Sequence, residues 1–70
     1  MINIQELKEE HKNRLVVYEP YKGAKLEQGR ITSWNDSFIF VDYQNVGRGQ
    51  ATPPEKLYFQ YLNKLIFEHD

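Results

Sequence analysis

A small, mainly β barrel with helices at its periphery is the fold class this sequence predicts, and three observations predict it. Gly29–Tyr43 contains two strand-like runs hinged on Asn35-Asp36. The returning run, Phe38-Ile39-Phe40-Val41, is apolar at consecutive positions, so both of its faces require burial, which an isolated hairpin cannot supply. Four Phe, five Tyr and one Trp in 70 residues provide the large rings a chain this short needs to build a core.

The elements follow in order along one expected domain, 1–70, divided into an N-terminal helix (1–13), a β-barrel (14–60) and a C-terminal tail or helix (61–70). Asn3 followed by Glu6 reads as a helix start, the short amide accepting from first-turn N–H groups and the carboxylate reaching back. Ile4, Leu7 and His11 share one face of that amphipathic helix. Leu15-Val16-Val17-Tyr18 is a β-rich run stopped by Glu19-Pro20, because proline cannot donate to a ladder. Tyr21–Lys25 is a loop by composition.

From Leu26 the pattern alternates, with Gln28, Arg30, Thr32 and Trp34 on one side and Gly29, Ile31 and Ser33 on the other. Asn35-Asp36 suits the left-handed backbone of a tight hairpin. A tight turn sets Ser33 opposite Phe38 and Ile31 opposite Phe40, which places Ile39 and Val41 on the face of Thr32 and Arg30. After a glycine-containing loop, Gln50-Ala51 forms a brief strand. Thr52-Pro53-Pro54-Glu55 is a second helix start, with Thr52 as cap. Beyond it two periods compete. Leu57, Tyr58, Tyr61, Leu62, Leu65 and Ile66 fit a helix, while Leu57 and Phe59 alternate as in a strand. The favoured combination is a turn, a short strand near Leu57–Gln60 and a helical tail.

Composition limits the chemistry. The absence of cysteine removes disulfides, thiolate metal sites and cysteine nucleophiles. No run approaches the roughly eighteen apolar residues of a membrane span, so a soluble, cytoplasmic protein is expected. Nine Lys plus Arg against ten Asp plus Glu give no general attraction to nucleic acid or anionic lipid.

The hairpin and the segment C-terminal to it carry a further pattern: Gly29-x-Ile31-Thr32-Ser33-x-Asn35-Asp36, then Ile39-Phe40-Val41-x-Tyr43, then Ala51-Thr52-x-Pro54-Glu55-x-Leu57. Over 29–57 the chain resembles a group of small phage and prophage proteins of undefined role. The resemblance implies an SH3-like barrel, an origin in a phage or prophage, and work in the cytoplasm of a bacterial host. It brings no catalytic or binding residues with it.

Candidate sites are judged on their residues. His11 and His69 lack any ligand spacing, so no metal site or cofactor is expected. Asp36 and Asp42 flank the aromatic strand, but each stands where a turn or strand end wants aspartate, and no nucleophile, base and oxyanion donors assemble around them. A non-enzymatic protein is therefore expected. Gly47-Arg48-Gly49 lacks the lysine and hydroxyl of a phosphate-binding loop. Trp34 at a hairpin tip, with Tyr18, Tyr21 and Tyr43, forms an aromatic patch suited to a protein partner or to self-association, including a homodimer. The alternative is a nucleic-acid-binding barrel using Lys22, Lys25, Arg30 and Arg48 beside stacking rings.

Overall fold

Adjacent residues of a strand face opposite ways, so a strand with two consecutive buried side chains is covered on both sides. In the computed structural model this strand is β1 (Leu15–Tyr18), whose Val16 and Val17 are both fully buried. The structure describes residues 1–60 and the backbone of 61 and 66–67; residues 62–65 and 68–70 lie outside the described residues. The remaining strands are β2 (Glu27–Trp34), β3 (Ile39–Asp42), β4 (Gln50–Thr52), β5 (Leu57–Tyr61) and β6 (Ile66–Phe67). All pairings are antiparallel. Five strands run in the order β4-β3-β2-β1-β5, and β6 pairs with β5 beyond them.

The expected burial of Phe38–Val41 on both faces is corrected. Ile39 and Val41 are fully buried, Phe40 is half-buried, and Phe38 stands outside β3 at 42% exposure. The doubly covered strand is β1, which lies between β2 and β5. Its inner face carries Val16, packed with Ile2, Ile31, Ile39, Val41 and Leu57. Its outer face carries Val17, beside Gln28 and Tyr58 in the ladders. Gln28 Nε2 donates to Gln60 Oε1 at 2.6 Å. Because the two glutamines belong to the strands on either side of β1, their bond bridges it.

The hairpin register also differs from expectation. Ile31 pairs with Val41, Ser33 with Phe40 and Trp34 with Ile39, with a bulge between Ile31 and Ser33. Thr32 is the extra residue, and its Oγ1 donates to the Phe40 carbonyl at 3.1 Å. One inserted residue changes which side chains share a face. Ile31 and Trp34 consequently join Ile39 and Val41 on the inner side, whereas simple alternation places Trp34 with Arg30. The turn is made by side-chain chemistry: Asn35 Oδ1 accepts from the backbone N–H groups of Ser37 and Phe38, both at 2.8 Å. Among the described non-glycine residues, left-handed backbone occurs instead at Asn13 and Asn45.

Gly29 permits the tight contact of β2 with the end of β3. A Cβ there would stand 2.6 Å from Val41 Cγ1 and 2.8 Å from the Asp42 carbonyl oxygen.

Among the described residues there is no α-helix, so the peripheral helices are corrected. Two 3-10 turns, Ile4–Glu6 and Glu9–His11, replace the helix expected over 1–13. Asn3 does cap the first, accepting from the Gln5 N–H at 3.0 Å. Two apolar side chains, Ile4 and Leu7, give a ten-residue helix too narrow a face to offset its nucleation. The segment instead runs as a strap. Ile2 enters the core at 4% exposure and its N–H donates to the Pro54 carbonyl, while the Asn13 N–H donates to the Ile31 carbonyl.

The second helix start is a single 3-10 turn, Pro54–Lys56, capped by Pro53, with Thr52 belonging to β4. The strand reading of Leu57–Gln60 holds. The helical tail expected over 61–70 is corrected where it is described, since Tyr61 ends β5 and Ile66–Phe67 pair with it. The rest of that tail, 62–65 and 68–70, lies outside the described residues. The sheet is also not closed: among the described residues no ladder joins β4 to β5 or β6.

Candidate functional site

Antiparallel pairing sets Tyr18, the last residue of β1, opposite Glu27, the first of β2, while β3 ends at Asp42 opposite Arg30, so Tyr43, one residue further on, heads back along β2 toward Tyr18. Tyr18 and Tyr43 therefore meet, with ring centroids 6.2 Å apart at a 54° tilt. The missing Cβ of Gly29 leaves room for the Tyr43 ring. Tyr43 and Thr52 Oγ1 lie 2.8 Å apart, and Thr52 Oγ1 donates to the Gln50 carbonyl at 3.1 Å. A threonine hydroxyl has one proton, so Tyr43 is the donor to Thr52.

Burial pushes the Tyr43 phenol up to about 12; the Thr52 hydroxyl, by turning to donate to the phenolate once it forms, opposes this, and the negative charges of Glu27 and ionised Tyr18 add to it. The phenol is thus a neutral donor at physiological pH, fitted to hold a rim in place and unsuited to act as a general base.

Beyond Tyr18 the chain turns at Tyr21–Ala24, closed by the Ala24 N–H on the Tyr21 carbonyl at 3.0 Å, with Gly23 at φ 85°. These are the features of a type II turn, whose third position favours glycine. Tyr21 is 69% exposed on it. Trp34 is elsewhere. It ends β2 opposite Ile39, half-buried against the core, whereas Tyr18 pairs with Glu27 at the other end of the same strand. The four aromatic candidates therefore do not form one patch: Tyr18 and Tyr43 are together, Tyr21 follows on the next turn, and Trp34 stands apart.

The basic candidates are likewise distributed. Lys22 and Lys25 are exposed in the β1–β2 loop. Arg30 is committed on β2, its Nη1 donating to the Asn13 carbonyl at 2.8 Å. Arg48, exposed after β3, lines a basin with Asp42, Gln44 and Val46.

The two candidate aspartates separate as well. Asp36 is at the hairpin tip. Asp42 is structural: Oδ1 accepts from Gln44 and Val46 N–H at 3.2 Å each, and Oδ2 from Gly47 N–H at 2.8 Å. Partial desolvation raises its pKa, but the backbone N–H groups of Gly47, Val46, Gln44 and Asn45 outweigh this and hold it below the usual carboxylate value.

A second feature combines residues that the sequence does not link. The strap passes along β5, and Phe59 receives the His11 ring at 5.6 Å between centroids and the Arg14 guanidinium at 5.1 Å. His11 Nδ1 accepts the Lys8 N–H at 2.8 Å, so its ring proton sits on Nε2. Around them lies a groove of about 340 Å³, which Ile2, Asn3, Glu6 and Leu7 also line. One signal is available in the sequence: His11 shares spacing with Ile4 and Leu7, which marks a ring facing inward. Nothing in the sequence marks Arg14.

Among the described residues no group of three or more His, Asp or Glu side chains is arranged to hold a metal ion. No helix there is long and apolar enough to cross a membrane. In comparisons with family models, curated proteins and solved structures, the chain has no match.

Proposed function

We propose that this chain is a non-enzymatic protein-binding or self-assembling module, built on an SH3-like barrel of phage or prophage origin and working in the cytoplasm of a bacterial host. The order β4-β3-β2-β1-β5, with a 3-10 turn before β5, is the arrangement an SH3-like barrel requires, and supports the fold. The phage origin rests on the motif over 29–57 alone.

One observation carries the binding role: the Tyr18 and Tyr43 rings pack together against the core at the rim while Tyr21, on the adjoining turn, remains 69% exposed. Large rings presented on rigid backbone are the usual anchors of protein interfaces. Trp34, packed on the core, supports this surface from a distance and is not its centre. Sedimentation of the wild type and Tyr21→Ala at micromolar concentration, with affinity capture from nuclease-treated host lysate, tests the reading. Self-association or a nuclease-resistant partner lost in Tyr21→Ala supports it. A strict monomer whose captured proteins are unchanged by the substitution refutes it.

A second reading, nucleic-acid binding, is favoured by the same turn, where Tyr21 is followed by exposed Lys22 and Lys25. It requires binding to labelled single strands that collapses with added salt. A flat anisotropy titration at low salt removes it.

A further inference from the structure

We infer that the groove between the N-terminal strap and β5 is a second, independent site that takes an acidic peptide segment: a carboxylate with an apolar side chain beside it. Size permits this. About 340 Å³ falls at the lower end of the range for ligand sites, roughly 300–1,000 Å³.

The donors come from two side chains already oriented by the fold. Arg14 lies over the Phe59 ring, 5.1 Å from its centroid, a cation–π contact that places its guanidinium at the groove and reduces the entropy lost when its paired N–H groups meet a carboxylate. Among the described residues Arg14 has no carboxylate partner; the nearby Glu9 is paired with Lys12 instead. His11 is oriented twice, by its contact with Phe59 and by the Lys8 N–H on Nδ1. That second bond leaves Nε2 as a donor even when the ring is neutral. Both donors approach the same Phe59 ring and line the same groove, so a carboxylate entering it meets a guanidinium and an imidazole N–H as its local hydrogen-bond donors.

The rest of the groove decides what surrounds that carboxylate. Ile2, Leu7 and Phe59 offer apolar contact. Glu6 repels a second negative charge and accepts from an amide N–H, and Asn3 can both donate and accept. A nucleic acid strand, charged at every step, is disfavoured by Glu6. A peptide with one acid and one apolar side chain meets all of these groups.

The test is an amide-shift titration of the ¹⁵N-labelled full chain with the blocked peptide Leu-Glu-Leu and its neutral twin Leu-Gln-Leu. Expected are saturable shifts at Leu7, His11, Arg14 and Phe59, and affinity about tenfold lower for the neutral peptide, the loss typical of one charge-assisted bond. Arg14→Gln reduces binding of the acidic peptide by a similar factor, and Arg14→Lys recovers only part, because lysine restores charge without the paired, planar N–H donors of a guanidinium. Equal shifts from both peptides, shifts confined to Tyr18 and Tyr43, identical saturation by acetate alone, or no saturable change at millimolar peptide would each overturn the assignment. The wild-type comparison of the two peptides needs no variant to fold. Tyr21→Ala leaves this binding unchanged, which separates the groove from the rim.

Discussion

Tyr43 donates to Thr52, and Thr52 in turn donates to the Gln50 carbonyl, so two bonds in series tie the end of β3 to the edge strand β4. Thr52 is 3% exposed, and its hydroxyl has no access to a substitute partner in bulk water. The order of donors makes the two ends of the relay unequal.

Thr52→Val is expected to destabilise the protein by about 1–3 kcal/mol, because it leaves the Tyr43 hydroxyl unpaired in a partly buried place. Tyr43→Phe removes one bond but leaves Thr52 its acceptor, and costs about 1 kcal/mol. Urea denaturation of the two variants reads the difference; equal losses would contradict the assigned direction.

Burial of the same Tyr43 phenol predicts alkaline sensitivity. Folding raises the Tyr43 pKa from 10.0 to about 12, so between these values the unfolded chain has released a proton that the folded one retains. Unfolding is then favoured by rising pH, and this contribution to stability, complete below pH 10, is lost as pH approaches 12. Ultraviolet titration of tyrosinate alongside circular dichroism checks it, with Tyr43→Phe lacking this component.

Asp42 predicts the opposite dependence. Its carboxyl is held below the ordinary 3.8, so its contribution is present above that value and is lost as pH falls through the depressed folded pKa. The Gly47 amide proton, bonded to Oδ2, should be protected from exchange at neutral pH and released in Asp42→Ala. Unchanged exchange in the variant would show that the loop holds its shape without the carboxylate.

Gly29→Ala is expected to cost about 1–3 kcal/mol, the usual range for forcing added volume into a packed site. Two of the obstacles belong to the neighbouring strand: the Asp42 carbonyl is backbone and cannot rotate aside, and the Val41 Cγ1 methyl sits on a fully buried side chain with no free space to turn into. Thermal unfolding of the variant is the measurement.

Val17→Ala and Phe38→Ala compare the two candidate doubly covered strands. Val17 is fully buried, and loss of its two methyl groups costs about 2 kcal/mol. Phe38, at 42% exposure and outside β3, costs well under half of that despite the larger deletion. The reverse ranking would restore β3 as the strand enclosed on both sides.

The strands are legible because period-2 patterns, Pro20 and the glycine-rich loop punctuate them clearly; all five strands of the main sheet have counterparts in the sequence pattern. What the pattern misplaces depends on single residues. Thr32, inserted as a bulge, shifts the pairing of everything toward the turn, and no residue type announces such an insertion. Asn35 is recognisable as a turn residue but works through its side-chain oxygen. The expected N-terminal helix fails because tertiary hydrogen bonds to Pro54 and Ile31 compete with local ones. At the rim, Tyr18 and Tyr43 are both legible as candidates, but their meeting depends on register. In the groove, Arg14 acquires meaning only from Phe59, forty-five positions later, a proximity created by β1–β5 pairing.

The bulge at Thr32 also has an optical consequence. By turning Trp34 inward it seats the only indole of the chain against the core, at the end of β2 remote from the tyrosine pair. Emission from that single fluorophore therefore reports the packing of one end, while the Tyr43 component of phenol absorbance, isolated by difference from Tyr43→Phe, reports the other. Loosening at either extremity can be followed separately in the unlabelled protein.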